Sequence, residues 1–221
     1  MAGDHLKETE RTRLRRKRQR GSYERTTVHA IIDATPMCYV GYVINGEPRV
    51  TPTLHWRQGE HIYWHGSQAS GGLAAATDER VCVAVGVLDG FVLGRSGLHH
   101  SANYRSVMVF GKPTRIQCRE EKLERLKAFV DNLFPDRWKS LRPSTREELD
   151  ATTVLSLPIN ETSAKMRSGR ANDPEKDLAH PVWAGTVPVR LVVDAPVPDG
   201  HVLEGVGRLA HVRCFERDWR W

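Results

Sequence analysis

The dipeptide Asn45-Gly46 stands between "MCYVGYVI" and "RVTPTLHW", two runs rich in β-branched, aromatic and apolar residues. Asn followed by Gly supplies the positive φ angles of a tight hairpin turn, so the flanking runs are read as antiparallel strands. The same grammar recurs downstream. "RQGE" (Arg57 to Glu60) is a second turn leading into the short strand "HIYWHG". "RVCVAVGVLDGFVLG" is a strand with a break at Asp89-Gly90, and "YRSVMVFGKPTRIQ" is a long strand kinked at Gly111 and Pro113. "TVLSLPI" (Thr153 to Ile159) and "TVPVRLVVDAP" (Thr186 to Pro196) read as further strands.

Helical signals are few. "TTVHAIIDATP" has helical spacing behind a threonine cap and stops before Pro36. "SQASGGLAAATDE" holds an alanine-rich helical turn weakened by Gly71 and Gly72. "REEKLERLKAFVDNLFP" is an amphipathic helix with Leu123, Leu126, Phe129, Val130 and Leu133 on one face. "DRWKSLRPSTREELDA" is polar and irregular with some helix. Many short strands with two main helices predict a mainly β (α+β) fold, a small antiparallel barrel. The segment from Asn160 to Gly185 is expected to be a long functional loop.

The basic residues are unevenly placed. Residues 1–25 hold nine Lys/Arg against four Asp/Glu, whereas the other 196 residues hold 24 against 23. This reading gives a basic N-terminal arm over 1–20; the rest is expected to be a domain over 21–197 and a tail over 198–221. The arm run "RTRLRRKRQR" is open to two readings, a polyanion-binding strip or a solvated, partly disordered arm. No aromatic residues interleave within that run, which argues against nucleic acid. No apolar stretch is long enough for a membrane span, and no signal-type h-region precedes the arm. The four scattered cysteines, Cys38, Cys82, Cys118 and Cys214, suit a reducing cytoplasm.

Chemistry-bearing residues gather in "GLHHSANYRSVMVFGKP", where His99 and His100 precede Tyr104, Arg105 and Ser106. A metal site is disfavoured, because no HExxH or Cys/His zinc spacing occurs and adjacent strand histidines face opposite ways. GxSxG, P-loop and GxGxxG motifs are all absent. Phosphate binding fits better. Arg105 offers a fork of donors and Ser106 a hydroxyl. "HGSQAS" (His65 to Ser70) enters a helical turn whose free N–H groups favour an anion. Bland readings stay open for several residues. His55 suits a satisfied strand histidine, Trp56 and Trp64 suit core or interface positions, and Tyr23 suits a helix staple.

In order, "RGSYERTTVHAIIDATPMCYVGYV", "VTPTLHW", "YWHGSQAS", "LDGFVLGRSGLHHSANYRSVMVFG", "SAKMRSG" and "PVWAGTVP" resemble the pyridoxamine 5′-phosphate oxidase-related family. The resemblance is to the flavin-nucleotide-binding branch that includes nitroimidazole-resistance reductases. It implies an FMN-binding split β-barrel of antiparallel Greek-key type, with peripheral helices. It implies a homodimer with flavin sites at the subunit interface and a small organic substrate, and it leaves NAD(P)H open as donor. The implied cofactor contacts are Val50, Thr51, Pro52, Thr53 and Leu54 on the first segment. On the second they are His65, Gly66, Ser67 and Ser70; on the third, Tyr104, Arg105 and Ser106, with Lys165 and Arg167 from "SAKMRSG". His65 and His99 are the implied proton donors. Where many relatives carry basic residues after the serine of the second segment, this chain has Gly71 and Gly72, so Arg20, Arg105, Lys165 or Arg167 would supply the positive charge. The C-terminal motifs of true pyridoxamine phosphate oxidases are missing. The activity implied is an FMN-dependent oxidoreductase; a non-catalytic flavin carrier or sensor, and a split barrel using haem or deazaflavin, are the alternatives.

Overall fold

Asn45 and Gly46 both adopt positive φ, 52° and 82°, and join β2 (Met37–Ile44) to β3 (Glu47–Gln58) as a hairpin. This is seen in a computed structural model that describes residues 4–203 and 205–207. Cys214 and most of the expected 198–221 tail lie outside the described residues. Gly59 (φ 55°) turns β3 into β4 (His61–Ser67). The hairpin β5 (Val81–Leu93) and β6 (Ser101–Gly111) carries a register shift between Leu88 and Gly90, the break expected at Asp89-Gly90. The remaining strands are β1 (Gly21–Ser22), β7 (Thr114–Arg115), β8 (Thr152–Pro158), β9 (Glu161–Arg167) and β10 (Gly185–Pro188).

All pairings are antiparallel, in the order β1-β9-β6-β5-β2-β3-β4-β8-β7. The sheet forks at β5. Its first half pairs with β2 at Cys82 to Ala84, and its second half pairs with β10 at Gly90 to Leu93. The bulge between the two halves turns the strand away from β2 and toward β10, because an extra residue bends and twists a strand locally. This open, forked antiparallel sheet is the split barrel implied by the family resemblance.

Odd-numbered residues of β5 and β6 (Val81, Val83, Val85, Val107, Val109) point inward and are buried with Cys38, Val40, Ile62, Trp64, Leu155 and Leu157. Helix α1 (Arg25–Ile32) closes this core with Val28, Ile31 and Ile32. Each such aliphatic side chain stabilises the fold by about 1.5–3 kcal/mol on burial. Burial also pushes the Cys38 thiol up to about 12, so it stays protonated and inert. A second cluster (Trp56, Tyr63, Ile116, Val154) lies on the opposite sheet face, under Leu126 and Phe129 of α3 (Arg119–Leu133). Helix α2 (Gly71–Asp78) follows β4, and α4 (Arg146–Ala151) precedes β8 behind a Thr145/Glu148 capping box.

Three expectations differ from what is found. The arm is not solvated throughout. Leu6 sits in the main core, Thr12 is buried, Tyr23 donates its hydroxyl to the Thr12 carbonyl (2.8 Å), and Thr9 and Arg11 bind Glu161. The segment expected as a loop contains β9, hidden because its inward positions Thr162 and Ala164 are not bulky apolar residues. The last strand is shorter than "TVPVRLVVDAP", ending at Pro188. Pro188 cannot donate to a ladder, and β5 turns away at that point.

Candidate functional site

Strand alternation puts Met37, Tyr39, Val50, Leu54, Leu88 and Met108 on the outer sheet face, all exposed. The same face is equally apolar under α3, where Trp56 and Tyr63 are covered. Helix α3 thus protects one end of an apolar surface and leaves the other end bare. In the middle of the bare part, Gly86 pairs with Ser106, and a Cβ at Gly86 would meet nothing within 4 Å. Gly41 and Ala84 lie on the same face, so small residues form a trough between bulkier Tyr39, Leu88 and Met108.

The expected flavin segments meet this face unequally. Val50, Pro52 and Leu54 face outward with Gly41, Tyr39 and Met37 as their partners. Thr51 and Thr53 face the other way, and Thr51 Oγ1 shares a 2.8 Å hydrogen bond with the Tyr42 hydroxyl. A Cβ at Gly72 would come within 2.4 Å of that hydroxyl. Tyr42 thus occupies the space that a side chain at position 72 would need. Gly66 approaches Leu73, Ser67 accepts from the Ala69 N–H, and Ser70 caps α2 through the Leu73 N–H. These hydroxyls serve the turn into the helix.

His65 lies under α3. Its ring packs 4.6 Å from Phe129 and 5.9 Å from Trp56, its Nδ1 has no partner, and desolvation holds its pKa below the usual value. The structure separates it from the bare trough. His55 is buried, with Nε2 3.0 Å from the Ile32 carbonyl. A carbonyl only accepts, so Nε2 carries the proton and the ring is neutral, its pKa lowered by burial.

Tyr104 and Ser106 face outward beside Arg167 and Lys165 respectively, and Ser106 donates to the Lys165 carbonyl (3.1 Å). Arg105 points the other way. Its Nε and Nη2 grip Asp89 at 3.0 and 2.7 Å, so its fork is already occupied by a carboxylate. Of the four proposed sources of charge, Arg20 and Arg167 share one cleft with Lys17 and Arg170.

His99 sits at the tip of the β5–β6 hairpin, where its Nδ1 lies 3.1 Å from Ser96 Oγ and 3.4 Å from Asp173 Oδ1. Both contacts fall on Nδ1, which leaves Nε2 for chemistry. The Asp173 carboxylate is itself held by the Arg95 backbone N–H (3.0 Å) and guanidinium (3.0 Å), which depress its pKa. Gly94 makes room for this contact: a Cβ there would lie 2.6 Å from His99 Cβ and 2.9 Å from Asp173 Oδ1. His100 is tied instead to the Ser96 carbonyl. Asp173, Arg95 and Gly94 were not foreseen from the sequence; Asp173 lies 78 residues from Arg95, inside the segment expected as a loop. Among the described residues no group of three or more His, Cys, Asp or Glu is placed to hold a metal ion.

A bare apolar sheet face on a forked antiparallel barrel, with polar groups along one border, defines the class. The chain matches the model of the family described as pyridoxamine 5′-phosphate oxidase over residues 24–166, and it belongs to that family. It is similar to the flavocytochrome Anf3 from Azotobacter vinelandii, with 42% identity over 94% of this chain and 97% of that one (TM-score 0.91). It is also similar to a FAD and haem binding protein from Mycobacterium smegmatis, with 34% identity over 89% and 97% (TM-score 0.85). A candidate 5-nitroimidazole antibiotic resistance protein from Bacteroides thetaiotaomicron shares the fold at 20% identity over 66% and 85% (TM-score 0.55). No curated protein sequence matches the chain. No helix among the described residues is long and apolar enough to cross a membrane.

Proposed function

We propose that this chain is a flavin-dependent oxidoreductase that works as a homodimer, with the flavin ring lying on the bare outer face of β2, β3, β5 and β6. The observation that carries this is the uncovered apolar surface around Gly86, whose open trough suits a flat ring. A monomer would expose Met37, Tyr39, Val50, Leu54, Leu88 and Met108 together, and contiguous patches of that kind mark interfaces. When bound, the flavin supplies the hydride or electron chemistry; the protein supplies orientation and electrostatics. Ser106 and Tyr104 border the ring site, and Lys165 brings positive charge toward a reduced, anionic flavin. Of the two histidines the sequence singles out, His99 suits proton delivery, because Ser96 and Asp173 fix its ring while Nε2 stays available.

The flavin nucleotide is FAD in this reading, rather than the FMN implied by the family resemblance. The basic residues that follow the serine in many relatives are replaced by Gly71 and Gly72, and Gly72 abuts Tyr42. The similar protein from Mycobacterium smegmatis is named for FAD.

A second reading adds haem and makes His99 its ligand through Nε2, in place of the proton-delivery role. The two similar proteins described above at 42% and 34% identity are named as a flavocytochrome and as a haem binding protein. A haem-ligating histidine is oriented by a hydrogen-bonding partner on its other nitrogen, as His99 is by Ser96 and Asp173. Exposed Leu98 and Trp183 flank the same end of the hairpin. A Soret band in the wild-type spectrum that disappears in His99→Ala, with the flavin bands retained, supports this addition. A chain that takes up no haem refutes it. The homodimer is tested by light scattering of Tyr39→Glu/Met108→Lys: a monomeric variant that has lost its flavin is expected, and an unchanged dimer contradicts the proposed face.

A further inference from the structure

Lys17 and Arg20, at the end of the basic run of the N-terminal arm, line a cleft. We infer that this cleft, between the arm and the end of β9, binds the phosphate groups of a nucleotide. Its volume is about 520 Å³, and Lys17, Arg20, Arg167 and Arg170 all line it with no carboxylate among its lining residues. Four cations facing one small cavity repel each other unless an anion joins them. Arg167 adds charge without compensation, since its partners are the neutral Asn103 side chain and the carbonyls of Gly169 and Arg170.

The cleft is built. Lys17 adopts the left-handed conformation (φ 53°), a strained choice for a lysine, and so turns the chain into the short helix Arg18–Arg20. Gly21 lies so close to Leu14 that a Cβ would overlap it at 2.2 Å, which fixes the arm against β1. Gly169 (φ 99°) reverses the opposite wall, and Arg167 pins that reversal. The arm therefore approaches the cleft along a set path.

The ligand class follows from size and chemistry. The volume falls within the range of small-molecule sites, about 300–1,000 Å³. No aromatic ring lines it, so a base-stacked polymer is disfavoured. Gln19, Ser168 and Asn172 provide neutral hydrogen-bonding groups suited to a ribose beside the phosphates. Two sources share this chemistry: a free nucleotide, or the diphosphate of the protein's own FAD. Only the second rests on the flavin reading.

The test is isothermal titration calorimetry of the full chain with pyrophosphate and ADP, for wild type and for Arg20→Ala/Arg170→Ala. Arg167 is left in place because it holds the Gly169 turn. Saturable, salt-sensitive binding to the flavin-loaded protein, weakened at least about tenfold per arginine removed with the melting temperature unchanged, supports a free nucleotide. Binding that appears only after flavin is stripped, with a double variant that purifies without flavin, supports the FAD diphosphate. A chain that never holds flavin yet binds ADP keeps this inference and ends the flavin reading. If neither ligand binds any form, or the double variant binds like wild type, the inference is overturned.

Discussion

Replacing Gly94 by alanine places a methyl group where there is no room. The new Cβ would lie 2.6 Å from His99 Cβ, 2.9 Å from the His99 carbonyl carbon and 2.9 Å from Asp173 Oδ1. The first two atoms belong to or adjoin the backbone, and the third is a carboxylate with a 3%-exposed side chain, so none yields cheaply. Overpacking of this kind costs about 1–3 kcal/mol. For a chain of this length a cost near 2 kcal/mol lowers Tm by about 4–8 °C. Gly97→Ala is the matched control. It lies three residues away with nothing within 4 Å of its Cβ, so only the smaller unfolded-state entropy acts, and stability should be unchanged or rise by up to about 1 kcal/mol. Calorimetric melts of both variants decide the matter. If Gly94→Ala melts with wild type, the close packing of His99 on Asp173 is not as described, and the proton-delivery role loses its geometric basis.

Other perturbations test separate parts of the account. His65→Phe should leave turnover intact and hold or raise Tm, because a phenyl ring fits between Phe129 and Trp56 and removes an unpartnered buried nitrogen; a large loss of activity would return His65 to the site. Burial holds His29, His55 and His65 below their ordinary value, so the unfolded chain binds more protons than the fold. Stability should therefore fall as pH drops below about 6.5 and be flat just above it, and His65→Phe should shallow that slope in melts from pH 5 to 8. Asp173 shifts in the same direction from a different cause: its pKa is lowered chiefly by the Arg95 backbone N–H, which favours the charged form, so its contribution is present above about pH 4 and lost as pH falls through the depressed value. Asp173→Asn should remove that acid limb and slow turnover by loosening the orientation of the His99 ring; turnover equal to wild type would argue that Asp173 only supports the loop.

Local signals in the sequence carried the hairpins well. Asn45-Gly46, Gly59 and the Asp89-Gly90 break each state a backbone requirement in two or three letters, and the fold obeys all three. Strand β9 escaped notice because Thr162, Ser163 and Ala164 are buried without being bulky, so no period-2 hydrophobic pattern exists to read. The arm misled for a related reason. Its arginines and lysines dominate the composition, while the anchors are single residues, Leu6, Thr12 and Leu14. At the site, the period of β4 shows that Trp64 and His65 face opposite ways, yet not which side a helix covers. Only the packing of Phe129 answers that. The grip of Asp89 on Arg105 and of Asp173 on His99 crosses 16 and 74 residues, and no local pattern encodes such pairs.

The most direct test of the account is the absorption spectrum of the freshly purified protein, followed by heat release and chromatographic identification of whatever it carries. A two-banded oxidised-flavin spectrum with FAD in the extract is the predicted result. A colourless chain that takes up neither FAD nor FMN when either is added would contradict the account at its centre.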